Sequence, residues 1–170
     1  GRAQLTGVDP DYGEVRALCD INPSQLTLAD GVLARNGRPP ARHYADWREM
    51  LQKEDVEAVI MAPPLWAHAE LAVGCLDAGK HVLCEKPMTL DPGQAWELVD
   101  TAAAQDRQLL VPYGWHYKPF IQRAKALMDE GAVGQVEYAL CHMASPTKGF
   151  FAGGGNGTDG AVFTGNWRDY

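Results

Sequence analysis

Gly79-Lys80-His81-Val82-Leu83-Cys84-Glu85-Lys86-Pro87 decides how this chain folds. Gly79 reads as a helix stop, because a left-handed residue closes helices and glycine adopts that conformation without penalty. The four residues from His81 read as a short buried strand. Glu85-Lys86-Pro87 then sets an acid, an amine and a rigid turn at the carboxyl end of that strand. Ligands of open parallel α/β sheets sit at the carboxyl ends of strands, so chemistry is expected here.

Working outward, the segments on either side continue a strand–helix alternation. Upstream, residues 56–61 are rich in β-branched side chains and read as a buried parallel strand. Pro63-Pro64 ends it, and a helix is expected from about Trp66 to Ala78. Downstream, Asp91-Pro92 is an N-cap followed by proline at the first helical position, which starts a helix running to about Arg107. A strand at 109–113, a helix beginning near Tyr117 and stopped by Gly131, and a longer strand over 135–143 complete the series. Toward the N-terminus, residues 15–19 read as a strand ending at Asp20, and Asn22-Pro23 opens a helix that stops at Gly37. Asp46, with Glu49 three residues on, reads as a capping box. Residues 7–13 read as a loop. Residues 149–170 are glycine-rich and without period, which fits a loop or an unfinished second domain.

Bulk properties narrow the function. The chain has 170 residues, a net charge of −7 and four cysteines. Its acidic balance argues against a nucleic-acid or anionic-membrane surface. No apolar run approaches the roughly 20 residues of a membrane helix. Cys19, Cys75, Cys84 and Cys141 contain no C-x-x-C pair, so core thiols in a reducing, cytoplasmic compartment are expected and no metal site is. Gly1 in place of Met leaves a leader undecided.

The segment Ala62-Pro63-Pro64-Leu65-Trp66-Ala67-His68, followed by the Gly79 to Pro87 stretch, resembles the Gfo/Idh/MocA family of NAD(P)-dependent oxidoreductases. The likeness runs over about 15–136. It implies a Rossmann-like parallel sheet in an α/β domain (1–114), then the start of an α+β substrate and oligomerisation domain (115–170). The implied reaction is hydride transfer between a nicotinamide and a sugar or polyol hydroxyl, by an enzyme that is a homo-oligomer when full length. Two alternatives stay open: an NAD-dependent glycosidase that oxidises its sugar transiently, and a binding protein without catalysis.

Two family features are missing. No G-x-G-x-x-G turn precedes the first strand, and no Asp-x-x-x-His motif follows, since neither Asp159 nor Asp169 has a histidine after it. The chain therefore reads as an internal fragment, inactive alone, or else as a divergent or decayed gene product. Loss of a first strand from a parallel sheet would leave two strand edges unpaired, an aggregation hazard that makes poor folding in isolation the expectation.

The resemblance assigns roles residue by residue. Lys86 contacts the substrate hydroxyl and the nicotinamide ribose, and either is the base or orients the substrate for a histidine of the missing motif; a like charge in the nicotinamidium eases release of its proton. Glu85 accepts from a cofactor ribose hydroxyl, or is a structural carboxylate. Asp20, at a strand end, accepts from the adenosine ribose and repels a 2′-phosphate, which favours NAD over NADP; its plainer role is a turn cap. Pro63, Pro64 and Trp66 border the cofactor, and His68 either ties down this loop or contacts a ligand. Trp115 and His116 follow the last strand, where the family places a segment facing substrate or nicotinamide, with Trp115 a cofactor contact and His116 a second candidate acid or base. Pro87 fixes the turn, in a cis peptide bond if the turn uses one. His43, His81 and His142 read as structural.

Overall fold

The computed structural model describes residues 2–140 and 142. Its contacts divide the chain into two compact units, Gly1–Pro112 and Tyr113–Tyr170.

The first unit opens with a short helix, α1 (Arg2–Leu5), and a loop leading to β1 (Ala17–Cys19). Helix α2 (Pro23–Arg35) starts where Asn22 accepts from Ser24 N–H and Pro23 needs no partner. It ends in a Schellman motif: Gly37, at φ +67°, donates to the Ala34 carbonyl and Arg38 donates to that of Leu33. Strand β2 (Arg42–Tyr44) pairs parallel with β1, Leu18 opposite His43. Helix α3 (Trp47–Lys53) leads to β3 (Ala58–Met61), α4 (His68–Asp77), β4 (His81–Cys84), α5 (Pro92–Ala104) and β5 (Leu109–Leu110). The last three strands form one parallel sheet in the order β3-β4-β5, with Met61 opposite Cys84 and Leu83 opposite Leu110. This is an α/β fold built of parallel strands joined by helices, as the sequence predicts.

Gly79 does what its position requires. At φ +72° it donates to the Leu76 carbonyl while Lys80 donates to that of Cys75, closing α4 and turning the chain into β4. The core lies between α4, α5 and β4. Leu76, Leu98, Ala72 and Cys84 are fully buried there, with Cys75, Val82, Met61 and Ala102 around them. Burial pushes the thiols of Cys75 and Cys84 up to about 11, from an ordinary value of 9.0. Cys19, exposed at the end of β1, is raised to about 11 as well, by partial burial and then by the carboxylates of Asp46 and Asp20. A raised thiol stabilises the fold below the unfolded value and loses that contribution as pH climbs toward the folded one. In urea melts the unfolding midpoint should therefore be flat up to about pH 9 and fall between about pH 9 and 11. A Cys75→Ala variant should show a shallower fall.

Helix α3 is held to α4 by close approach. The Trp47 ring lies over Gly74, where a Cβ would sit 2.3 Å from Cη2 and 2.7 Å from Cζ3. The Arg48 guanidinium covers the indole at 4.2 Å from the ring centroid and pairs with Glu70 at 2.6 Å. Gly74→Ala should cost about 1–3 kcal/mol, as overpacked sites do, read as a lower urea midpoint with an unchanged slope.

Several expectations need correction. Strand β2 was not foreseen: Arg42-His43-Tyr44 has no apolar run, and long-range partners hold it instead. Glu54 is buried, with Tyr44 Oη donating to its Oε1 at 2.5 Å and Arg42 Nη2 at 2.8 Å from Oε2, an ion-pair contact without hydrogen-bond alignment. The bond to Glu54 raises the Tyr44 phenol above its ordinary value. Strand β3 is not buried throughout: it pairs with β4 alone, and Ile60 is 45% exposed on the sheet face it shares with Leu83 and the exposed Leu110, opposite the face where Met61, Val82 and Cys84 join the core. Likewise β1 pairs only with β2, so each has an unpaired edge among the described residues. Asp46 does cap α3, but it accepts from Arg48 N–H, and Glu49 reaches forward to Lys53 at 2.5 Å, so no capping box forms. The expected strand at 109–113 shortens to β5, since Pro112 has no N–H for a ladder.

The second unit holds a 3-10 turn (Gly114–Tyr117) and α6 (Pro119–Asp129), ended at Gly131 with φ +75°. The strand expected over 135–143 is not formed at 135–140, where no strand among the described residues pairs with it; Cys141 and 143–170 lie outside the described residues. No helix among the described residues is long and apolar enough to cross a membrane.

Candidate active site

The turn after β4 is built from within. Its first residue, Cys84, is buried, and its Sγ reaches toward the carbonyls of Glu85 at 3.5 Å and Met88 at 3.8 Å. The Lys86–Pro87 peptide is cis. Glu85 is half-buried and doubly engaged: Gln4 Nε2 of α1 donates to Oε1, and the Lys86 N–H donates to Oε2 at 2.9 Å. Its carboxylate thus ties α1 to the turn and fixes the backbone of the next residue. Lys86 itself is exposed, and its ammonium has no ion-pair partner among the described residues. A flexible amine therefore stands free at a strand's carboxyl end on a backbone that is held.

The loop after β3 is joined to this turn through His68, the first residue of α4, which is only 3% exposed. Its Nδ1 lies 2.9 Å from the Pro87 carbonyl and its Nε2 3.2 Å from the Pro63 carbonyl. The Cys84 Sγ lies 3.5 Å from Nδ1. Neither ring nitrogen is left for a ligand. Pro63 is half-buried and Pro64 exposed, and Trp66 stands 76% exposed on the 3-10 turn (Leu65–Ala67) that leads into α4. That indole is not packed into the core.

Asp20 lies at the carboxyl end of β1. Its Oδ1 accepts from Asn22 N–H at 2.8 Å, the turn cap, while Oδ2 has no hydrogen-bond partner among the described residues. In the second unit, Trp115 packs edge-on to Phe120 with ring centroids 6.1 Å apart, and His116 lies against Tyr117 at 4.0 Å. Both Trp115 and His116 are exposed. The structure thus gathers Pro63, His68, Glu85 and Lys86 into one connected assembly, with Asp20 at the end of its own strand and Trp115 and His116 in the other unit.

Sequence reasoning missed Gln4. Nothing in Arg2-Ala3-Gln4-Leu5 marks a partner 81 residues away. His43 pairs with Asp30 at 2.9 Å, and His81 Nδ1 accepts from Gln108 N–H at 2.9 Å, so both have structural partners. Among the described residues no three His, Cys, Asp or Glu side chains converge as a metal site would require.

Residues 3–113 match the family GFO_IDH_MocA, described as "Oxidoreductase family, NAD-binding Rossmann fold". Among curated relatives, the chain is 29% identical over 129 residues to glycosyl hydrolase family 109 protein 2 of Phocaeicola vulgatus, covering 74% of this chain and 31% of that protein. It is 32% identical over 123 residues to the inositol 2-dehydrogenase/D-chiro-inositol 3-dehydrogenase of Lactiplantibacillus plantarum, covering 72% and 34%. Among solved structures, the WlbA dehydrogenase of Chromobacterium violaceum, in complex with NADH and UDP-GlcNAcA, aligns with a TM-score of 0.66 at 30% identity, over 79% of this chain and 36% of that one. The chain spans about a third of the length of these relatives. With the parallel sheet, the Pro-Pro loop and the Glu-Lys-Pro turn in place, the chain belongs to the GFO_IDH_MocA family of oxidoreductases with an NAD-binding Rossmann fold.

Proposed function

We propose that the protein carrying this chain transfers a hydride between NAD and a hydroxyl of a sugar or polyol. The observation that carries this reading is the exposed, unpaired Lys86 at the carboxyl end of β4, on a backbone held by Glu85. When bound, NAD supplies the hydride acceptor. The side chains supply the rest: a group to take the hydroxyl proton, and a surface that fixes orientation. Lys86 is assigned the proton. Asp20 offers an uncommitted carboxylate oxygen to the adenosine ribose and disfavours a 2′-phosphate. Pro63, Pro64 and Trp66 form the loop beside the cofactor, and Glu85 serves through the backbone it anchors. His116, with Trp115 beside it in sequence, is the second candidate proton carrier.

On this reading 1–114 is the dinucleotide-binding domain, and residues from 115 begin the domain that selects substrate and forms oligomers. A cytoplasmic site of action agrees with the free thiols of Cys19, Cys75 and Cys84. A second reading has specific support in the likeness to a glycosyl hydrolase family 109 protein: transient oxidation of a sugar, loss of its aglycone, and return of the hydride.

The test incubates the whole protein with NAD and a panel of polyols, sugars and aryl glycosides. NADH that accumulates with a ketone product supports the dehydrogenase. Glycoside cleavage without net NADH supports the second reading. Neither result with any substrate would overturn both.

A further inference from the structure

We propose that His68 is a positioning residue whose two ring nitrogens do separate jobs: Nδ1 sets Lys86 for turnover, and Nε2 sets the Pro63-Pro64 loop for cofactor binding. The inference rests on the oxidoreductase reading above and extends it to a side chain that touches no ligand.

The argument begins with burial. His68 is 3% exposed in a chain where most polar side chains face solvent. A buried imidazole is costly unless its nitrogens find partners. Both do, and both partners are backbone carbonyls, which only accept. Each carbonyl belongs to one of the two loops that leave the carboxyl ends of neighbouring strands β3 and β4. The ring is thus a strut between loops that are 19 and 5 residues from it in sequence. The Pro87 carbonyl follows directly after Lys86, and Cys84 Sγ braces the same turn from the same side. The Pro63 carbonyl belongs to the loop that carries the exposed Trp66. A carbonyl only accepts, so the contacts at Nδ1 (2.9 Å) and Nε2 (3.2 Å) are both hydrogen bonds only when each ring nitrogen carries a proton.

Two amide side chains separate the jobs. The amide nitrogen of asparagine sits as far from Cα as Nδ1 does, and that of glutamine as far as Nε2 does. His68→Asn keeps a donor for Pro87 and loses the one for Pro63. His68→Gln does the reverse. The experiment measures NADH affinity by fluorescence titration, together with kcat and KM, for the whole wild-type protein and both variants. Expected is a crossed pattern. His68→Asn weakens NADH binding about tenfold with the smaller loss in kcat, and His68→Gln lowers kcat about tenfold or more with the smaller loss in affinity. Parallel losses of both quantities in both variants, tracking thermal stability, would reduce His68 to a packing residue and overturn the proposal.

Should either variant fail to fold, the wild-type protein still decides. Its 15N-resolved imidazole spectrum must show a proton on both His68 ring nitrogens, and a ring protonated at either nitrogen alone would overturn the proposal. If the wild-type protein binds no NADH, the oxidoreductase reading falls and the positioning role falls with it. NADH binding without the crossed pattern removes the positioning role alone.

Discussion

Replacing Lys86 by methionine should lower kcat by about 10² to 10⁴, the range that a positioned proton carrier contributes. Methionine preserves much of the aliphatic stem and removes the amine. The side chain is exposed and makes no ion pair among the described residues, so the fold loses nothing measurable. The loss should appear in kcat, with NADH affinity changed far less, because Lys86 acts on the reacting hydroxyl. Lys86→Arg sharpens the result. Arginine keeps the charge but does not give up a proton in proteins. If Lys86 takes the proton, arginine leaves the enzyme nearly as impaired as methionine. If arginine restores turnover, the lysine orients the hydroxyl and the proton goes elsewhere, with His116 the next group to replace. A fall of less than about tenfold in the methionine variant, or 1.4 kcal/mol in barrier, would contradict both roles.

Asp20→Ala should have the second largest effect, and on a different quantity. A hydrogen bond to a charged group is worth about 1.5–3 kcal/mol. Losing the carboxylate should raise KM for NAD by roughly 10- to 100-fold, with kcat nearly preserved at saturation. Loss of the negative charge should also narrow the preference for NAD over NADP, since a 2′-phosphate no longer meets repulsion. Asp20 caps its own turn through Asn22 N–H, so a thermal melt must accompany the kinetics. Asp20→Asn serves as the control: it keeps the cap acceptor and loses the charge. If asparagine preserves both NAD affinity and NAD preference, Asp20 is a cap only.

The parts of this fold that were legible in the sequence share one property: their physics is local. Gly37 and Gly79 stop helices because of backbone sterics that involve only their neighbours, and both sit at positive φ. Asp91 caps α5 by accepting from Gln94 N–H three residues on, and Asn22 caps α2 by accepting from Ser24 N–H two residues on. The run of β-branched residues ending at Met61 marked β3, and the Glu-Lys-Pro turn marked the carboxyl end of β4. What failed to show itself depends on distance. Strand β2 is held by a parallel neighbour and by Glu54, neither of which a polar tripeptide announces. The exposure of Ile60 is set by which face of the sheet packs into the core, a property of the packing and not of the strand. Glu85 was read with a ribose partner or a structural one open. Gln4 and the Lys86 amide are the partners seen, and the first comes from a helix 81 residues away. His68 was suspected of tightening its loop, but its sequence neighbours give no hint that the ring spans two loops.

Hydrogen–deuterium exchange of the whole protein, with and without NADH, tests the central claim most directly: that the cofactor lies across the carboxyl ends of these strands. The expected result is slowed exchange in peptides covering 19–22, 62–68 and 84–88, with β-strand interiors and α6 unchanged. Protection absent from all three, or confined to segments at the amino ends of the strands, would contradict it.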